Sequence, residues 1–198
     1  MTRFADSHCH ILDPRLIDRA ESIVKNMSSD GLDFIVEVSA SIPESYESVK
    51  FAMAHDNVFC AIGVHPEFAK TYPEDADEFA HWALSQHGNK KIVGYGECGL
   101  DYKYSHDAEA QKQCFTHQIL LADKLGLPLI VHTRQAFDDT LQILVENKAH
   151  IRNGLLFHCF CEGTSEATRV LEHFDAYFAF GGAVTHTPNT LDDTIRTT

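Results

Sequence analysis

Seven short apolar runs recur along the chain, near residues 3–9, 34–38, 58–64, 92–97, 129–132, 155–158 and 177–181. Each is followed by a stretch with helical spacing. After the first run, Leu16, Arg19, Ala20, Ile23, Val24 and Met27 recur at that period, and Gly31 suits a left-handed end. Pro43 fits the first turn of a helix reaching Ala54. Further helices are expected near 74–87, 107–125, 137–145, 165–173 and 190–198. In the longest, Phe115, Ile119, Ala122 and Leu125 form one stripe, and Gly126 and Pro128 end it. The runs are apolar on both faces, as buried parallel strands are. Strict alternation of strand and helix implies a parallel sheet, either open and doubly wound or closed into a barrel. A dinucleotide fold needs G-x-G-x-x-G to open a helix. Here Gly94, Gly96 and Gly99 lie inside and at the end of a strand, with Glu97 among them, which excludes that reading.

At 198 residues the chain suffices for one domain, and 44% hydrophobic with 23% charged residues is ordinary for a globular protein. No apolar run approaches the roughly 18 residues of a membrane helix. The N-terminus reads straight into Phe4-Ala5-Asp6 without a basic segment leading into a long apolar one, so a cytoplasmic location is expected. The six cysteines form no C-x-x-C pair; Cys9, Cys98 and Cys159 adjoin candidate ligands, so buried thiols in a reducing compartment are expected. A net charge of −13 argues against coating nucleic acid by bulk electrostatics. It leaves a nuclease open, because bound divalent cations reverse the potential locally.

Unusual residues fall at strand ends. In Asp6-Ser7-His8-Cys9-His10, strand alternation puts His8 and His10 on one face and Cys9 on the other. Neutral imidazoles are common ligands for transition metals. Glu97, His132 and His158 end later runs in the same way. In a TIM (β/α)8 barrel those ends converge on one face, which favours an α/β barrel over an open sheet. A carboxylate such as Glu97, following an apolar run, is costly to bury unpaired but can span two cations. Five ligands exceed the three that a catalytic zinc needs, which favours a pair of metals able to polarise an ester and generate hydroxide.

The chain resembles the TatD family of metal-dependent deoxyribonucleases, within the amidohydrolase superfamily of TIM barrels. The segments that carry the resemblance are Asp6-Ser7-His8-Cys9-His10, Gly63-Val64-His65-Pro66, Gly94-x-Gly96-Glu97-Cys98-Gly99-Leu100-Asp101-Tyr102, Pro128-x-x-x-His132-Thr133-Arg134 and His158-Cys159-Phe160. The resemblance implies a site for two divalent ions (Mg2+, or Zn2+ or Mn2+). His8 and His10 would serve the first, His132 and His158 the second, and Glu97 would bridge them. It also implies hydrolysis of DNA phosphodiesters as a 3′ exonuclease, acting on single-stranded ends. Family members continue into an eighth strand ending in Glu-Thr-Asp, which is not found here. Residues 1–198 are therefore expected to form a single TIM-barrel domain truncated after the seventh strand. The natural product is expected to run on by some 60 residues, or a partner chain to cover the gap.

Other residues are candidates for substrate contact. His65 faces the same rim, and the resemblance implies that it could touch substrate or a metal-bound water. Arg134 follows His132 by two residues and could grip a phosphate. Tyr102, Lys103 and Tyr104 make a small basic-aromatic loop suited to stacking on a base and contacting phosphate, and Asp101 could orient a ligand. Two other functions stay open: a metal-dependent hydrolase of another ester or amide, and a catalytically impaired metal-binding fragment.

Overall fold

The computed structural model describes residues 3–103, 107–186 and 191–198. Seven strands form one sheet in chain order: β1 (Phe4–Cys9), β2 (Leu32–Val38), β3 (Val58–Ile62), β4 (Ile92–Asp101), β5 (Leu129–Arg134), β6 (Leu155–Phe157) and β7 (Ala176–Phe178). Every neighbouring pair is parallel. Between them run α1 (Ala20–Asn26), α2 (Ile42–Ala54), α3 (Tyr72–Ser85), α4 (Ala108–Leu125), α5 (Phe137–Glu146) and α6 (Thr164–Leu171), with α7 (Ala183–His186) and α8 (Asp192–Thr197) after β7. The helices begin and end where local chemistry directs. The Ser41 side chain accepts the Glu44 N–H at the start of α2, and Asp107 accepts the Ala110 N–H at the start of α4. Gly126 closes α4 in the left-handed conformation, φ +69°.

The sheet is strongly curled. The rings of His8 on β1 and His158 just beyond β6 stack with centroids 3.3 Å apart, although four strands separate β1 from β6. Only a sheet rolled toward a barrel brings those ends together. Aliphatic side chains fill its inside, where Val36, Val38, Ala61 and Ile130 form a cluster of their own. The outer faces pack on the helices through a larger core that includes Tyr95, Phe115, Ile119 and Leu144. Burial of each such side chain contributes about 1.5–3 kcal/mol. Among the described residues neither β1 nor β7 pairs with a further strand. Phe4 and Tyr177 on those edge strands are 62% and 70% exposed.

The seven expected strands are all present, with differences in extent. β4 continues past Glu97 to Asp101, paired with β5 through Arg134, because its glycines let the two backbones approach closely. β7 is shorter than expected, and α7 follows it. The first helix begins late, since Ile17–Arg19 form a 3-10 turn. The cysteines need a correction. Cys98 is buried and Cys9 half-buried, but Cys159 and Cys161 are exposed, because the chain leaves β6 at Cys159 in a left-handed turn, φ +46°. Tyr104, His106 and Thr190 lie outside the described residues.

Candidate metal centre

Glu97 stands at the middle of the site. It is 6% exposed, and its N–H donates to the Ser39 carbonyl across the sheet at 3.3 Å. Glycines on either side press this part of β4 against β5. A Cβ on Gly96 would lie 2.4 Å from the Ile130 carbonyl oxygen, and one on Gly99 would lie 2.0 Å from that of His132. Both have φ near the edge of the left-handed region, +144° and +140°.

Imidazoles surround the carboxylate. His8 Nε2, His132 Nδ1 and His158 Nε2 lie 3.7, 3.7 and 3.8 Å from Glu97 Oε2, and His10 Nε2 lies 3.7 Å from Oε1. These separations exceed hydrogen-bonding distance, and Glu97 Oε2 is buried with no hydrogen-bond partner among the described residues. Ligands held about 2.0–2.2 Å from a common ion sit some 3–4 Å from one another, so the spacing fits cations between them. Two trios have donor atoms mutually within 4.8 Å: His8, His10 and Glu97, and His65, Glu97 and His132.

For three of the rings the surrounding hydrogen bonds fix which nitrogen can act. His10 Nδ1 lies 2.7 Å from the Val38 carbonyl, which can only accept, so Nε2 is left with a free lone pair. That nitrogen faces His8 Nε2 at 3.2 Å. His132 Nε2 lies 3.2 Å from the carboxylate of Asp101, leaving Nδ1 to face Glu97. This is the carboxylate–histidine pairing that orients metal-binding imidazoles. His65 differs. The Glu67 N–H donates to its Nδ1 at 3.2 Å, so the neutral ring carries its proton on Nε2 and is a donor rather than a ligand. Its ring meets that of His132 edge-on at 4.4 Å.

Burial keeps most of these rings in the neutral form that binds metal. It pushes His8 down to about 3, with His158 adding to the effect and Glu97 opposing it. It pushes His65 down to about 4 and also lowers His158. At His132 burial is outweighed by Glu97 and Asp101, and its pKa rises. Burial would raise Glu97, but the imidazoles of His132, His65 and His8 together hold it below its ordinary value.

The structure thus brings His8, His10, Glu97, His132 and His158 together, with His65 beside them. The loop candidates stand further out. Arg134 and Lys103 are exposed at the ends of β5 and β4. The Tyr102 hydroxyl donates to Asp139 at 2.6 Å, which ties the ring toward α5. Sequence reasoning passed over Glu37, whose carboxylate accepts the Ile11 N–H at 2.6 Å and steadies the turn after His10. The signal was present, since Glu37 interrupts an apolar run as Glu97 ends one. It passed over Gln111 and Gln118 too, which lie on the buried stripe of α4.

Residues 5–198 match the family described as TatD related DNase. The chain is 32% identical over 181 residues to a Bacillus subtilis protein described as the uncharacterized metal-dependent hydrolase YabD, covering 91% of this chain and 69% of that one. It is 32% identical over 153 residues to the 3′-5′ ssDNA/RNA exonuclease TatD of Cronobacter sakazakii, covering 77% of this chain and 56% of that one. The crystal structure of YJJV, a TatD homologue from Escherichia coli, superposes with a TM-score of 0.85 at 24% identity, covering 98% of this chain and 73% of that one. No helix among the described residues is long and apolar enough to cross a membrane. The chain belongs to the TatD-related DNase family of metal-dependent hydrolases.

Proposed function

We propose that this protein hydrolyses phosphodiester bonds of single-stranded DNA from the 3′ end, using two divalent cations bridged by Glu97. The observation that carries the reading is the buried Glu97 carboxylate, whose Oε2 has no hydrogen-bond partner among the described residues and faces three imidazole nitrogens at 3.7–3.8 Å. An unpaired buried carboxylate is expensive unless cations compensate it. His8 and His10 would hold one ion, and His132 and His158 the other. A shell so rich in imidazole favours Zn2+ over Mg2+. Bound there, such ions would polarise the phosphoryl group and lower the pKa of water.

The chain's own side chains have distinct parts in this reading. Glu97 stays ionised among the imidazoles and offsets cationic charge. Asp101 holds His132 with its Nδ1 lone pair turned inward. His65, with its proton on Nε2, would donate to a phosphoryl oxygen. Arg134 and Lys103, exposed at the rim, would meet backbone phosphates, and Tyr102 would offer a ring face to a base. We also propose that a further strand between β7 and β1 closes the barrel and brings another carboxylate beside His8 and His10. The exposed Phe4 and Tyr177 on those edges support it.

The test is digestion of single-stranded DNA labelled at either end, with Mn2+ added back to chelator-treated protein. Stepwise loss from the 3′ end, abolished by chelator and by Glu97→Gln, is expected. Binding of two ions without hydrolysis of DNA or of any other ester would leave a metal binder and overturn the catalytic reading.

A further inference from the structure

Helix α4 packs an apolar face on the sheet, yet two fully buried positions on that face are glutamines. Gln111 and Gln118 are 0% and 1% exposed. Seven residues apart, they lie two turns apart on the same side of the helix. Each spends its amide on both main-chain groups of a single residue. Gln111 Oε1 accepts the Asp101 N–H at 2.7 Å, and its Nε2 donates to the Asp101 carbonyl at 2.9 Å. Gln118 does the same for Val64, at 2.7 and 2.9 Å. A side-chain amide offers one donor side and one acceptor side, so it can pair with a residue as a neighbouring strand would.

What the two clamps hold gives them meaning. Asp101 carries the carboxylate that faces His132 Nε2, and Val64 immediately precedes His65, whose ring abuts His132 edge-on. Both clamps therefore act on the surroundings of one imidazole, from a helix that supplies no side chain to the ring of ligands. A clamp that served the fold alone could sit anywhere along a strand. These two sit where β3 and β4 deliver functional groups.

We infer that Gln111 and Gln118 are positioning residues. Gln111 fixes Asp101, and through it the orientation of His132 as a ligand. Gln118 fixes the main chain that presents the His65 Nε2–H to substrate. The inference rests on the two-cation reading, and it separates the two glutamines by what their loss should change.

The experiment is Mn2+ titration of the chelator-treated full chain, with His8→Ala and His132→Ala identifying each half of the site. Gln111→Met, matched in volume, should weaken the ion lost in His132→Ala by about 10- to 100-fold, the usual effect of removing support behind a ligand. The ion lost in His8→Ala should change less than twofold. Gln118→Met should keep both ions while kcat on single-stranded DNA falls by about 100-fold with KM little changed, as misplacement of a reacting group produces. Leu121→Ala, a buried cavity variant on the same helix, sets the effect of destabilisation alone and should preserve both affinities. If either methionine variant fails to fold, Gln111→Asn and Gln118→Asn, too short to reach both main-chain groups, replace them with the same expectations. Wild-type ion affinities in the Gln111 variants, wild-type kcat in the Gln118 variants, or equal loss in Leu121→Ala, would overturn the inference. A wild-type chain holding one ion, removed by His132→Ala, would refute the two-cation reading while the Gln111 clamp is still tested on that ion. A wild type that binds both ions but hydrolyses no ester would refute the proposed activity and with it the role of Gln118, while the titration still decides that of Gln111.

Discussion

Replacing Glu37 with glutamine should stabilise the protein in neutral and alkaline solution but not in acid. Glu37 lies on β2, 2% exposed, with the Ile11 and Leu12 N–H groups donating to it at 2.6 and 3.4 Å. Burial is the largest influence on its carboxyl and pushes it from the ordinary 4.5 up to about 7. The two N–H donors oppose that shift, and Glu44 and Asp13 add to it. A carboxyl raised in this way binds more protons in the folded than in the unfolded chain between those two values. Stability therefore falls as pH climbs through that window, and the full penalty is present above about 7. At about 1.36 kcal/mol per pKa unit, the penalty is about 3 kcal/mol. That is a large share of the roughly 5–15 kcal/mol that holds a domain together. Glu37→Gln keeps the shape and an acceptor for Ile11 but cannot ionise. In urea denaturation, the stability of the variant relative to wild type should rise by about 3 kcal/mol from about pH 4 to about pH 8. Comparing the two proteins at each pH cancels the histidines that titrate in the same range. An equal difference at both pH values would refute the argument, because Glu37 would then be solvated or fully compensated when charged.

Other perturbations bear on the site. Glu97→Gln preserves size but removes the charge that, on the proposed reading, would offset two cations, so at least one ion should be lost with the far-UV CD spectrum unchanged; unchanged stoichiometry by titration would show that the site is not organised around Glu97. Arg134→Ala should raise KM for single-stranded DNA more than it weakens either ion. Tight DNA binding in excess chelator with a steep salt slope would contradict the local-contact picture, since that behaviour needs many Lys/Arg–phosphate contacts. Gly96→Ala puts a methyl group 2.4 Å from the Ile130 carbonyl oxygen. It should cost at least the roughly 1–3 kcal/mol typical of overpacking, and wild-type stability in denaturant would show that β4 can yield there.

The strands were legible because a parallel strand buried on both faces leaves a short uninterrupted apolar run, and all seven such runs became strands. The ligand candidates were legible because His and Glu at the ends of those runs have no place in an apolar core. What stayed hidden is what the chain does with polar groups inside. Glu37 breaks the second run, and nothing in its neighbours in sequence indicates that its partners are the N–H groups of Ile11 and Leu12, more than twenty residues away. Gln111 and Gln118 continue the apolar stripe of α4 at helical spacing, but their partners are main-chain groups that only the folded sheet brings near. The extension of β4 through Asp101 was missed because glycines around Glu97 weaken the strand signal, while in the fold they permit the close contact with β5.

If the chain acts on DNA as proposed, an acidic protein has to solve its electrostatics locally. The formal charge is −13, and burial keeps His8 and His65 neutral, so those rings add no positive charge to the site. The carboxylates facing the imidazoles are Glu97 and Asp101. On the proposed reading, two divalent ions set between neutral imidazoles would turn two negative charges into a net of two positive ones. That reversal happens where Glu97 is nearly excluded from water, and there a charge acts more strongly than at the surface. Surface carboxylates more than a Debye length away, about 8 Å at physiological salt, are largely screened and oppose the substrate little. Attraction would then come from the ions, and Arg134 and Lys103 at the rim would have only to orient a strand already drawn in. The same arrangement makes binding conditional. With the ions removed, the cleft would present carboxylates to a phosphate backbone and repel it.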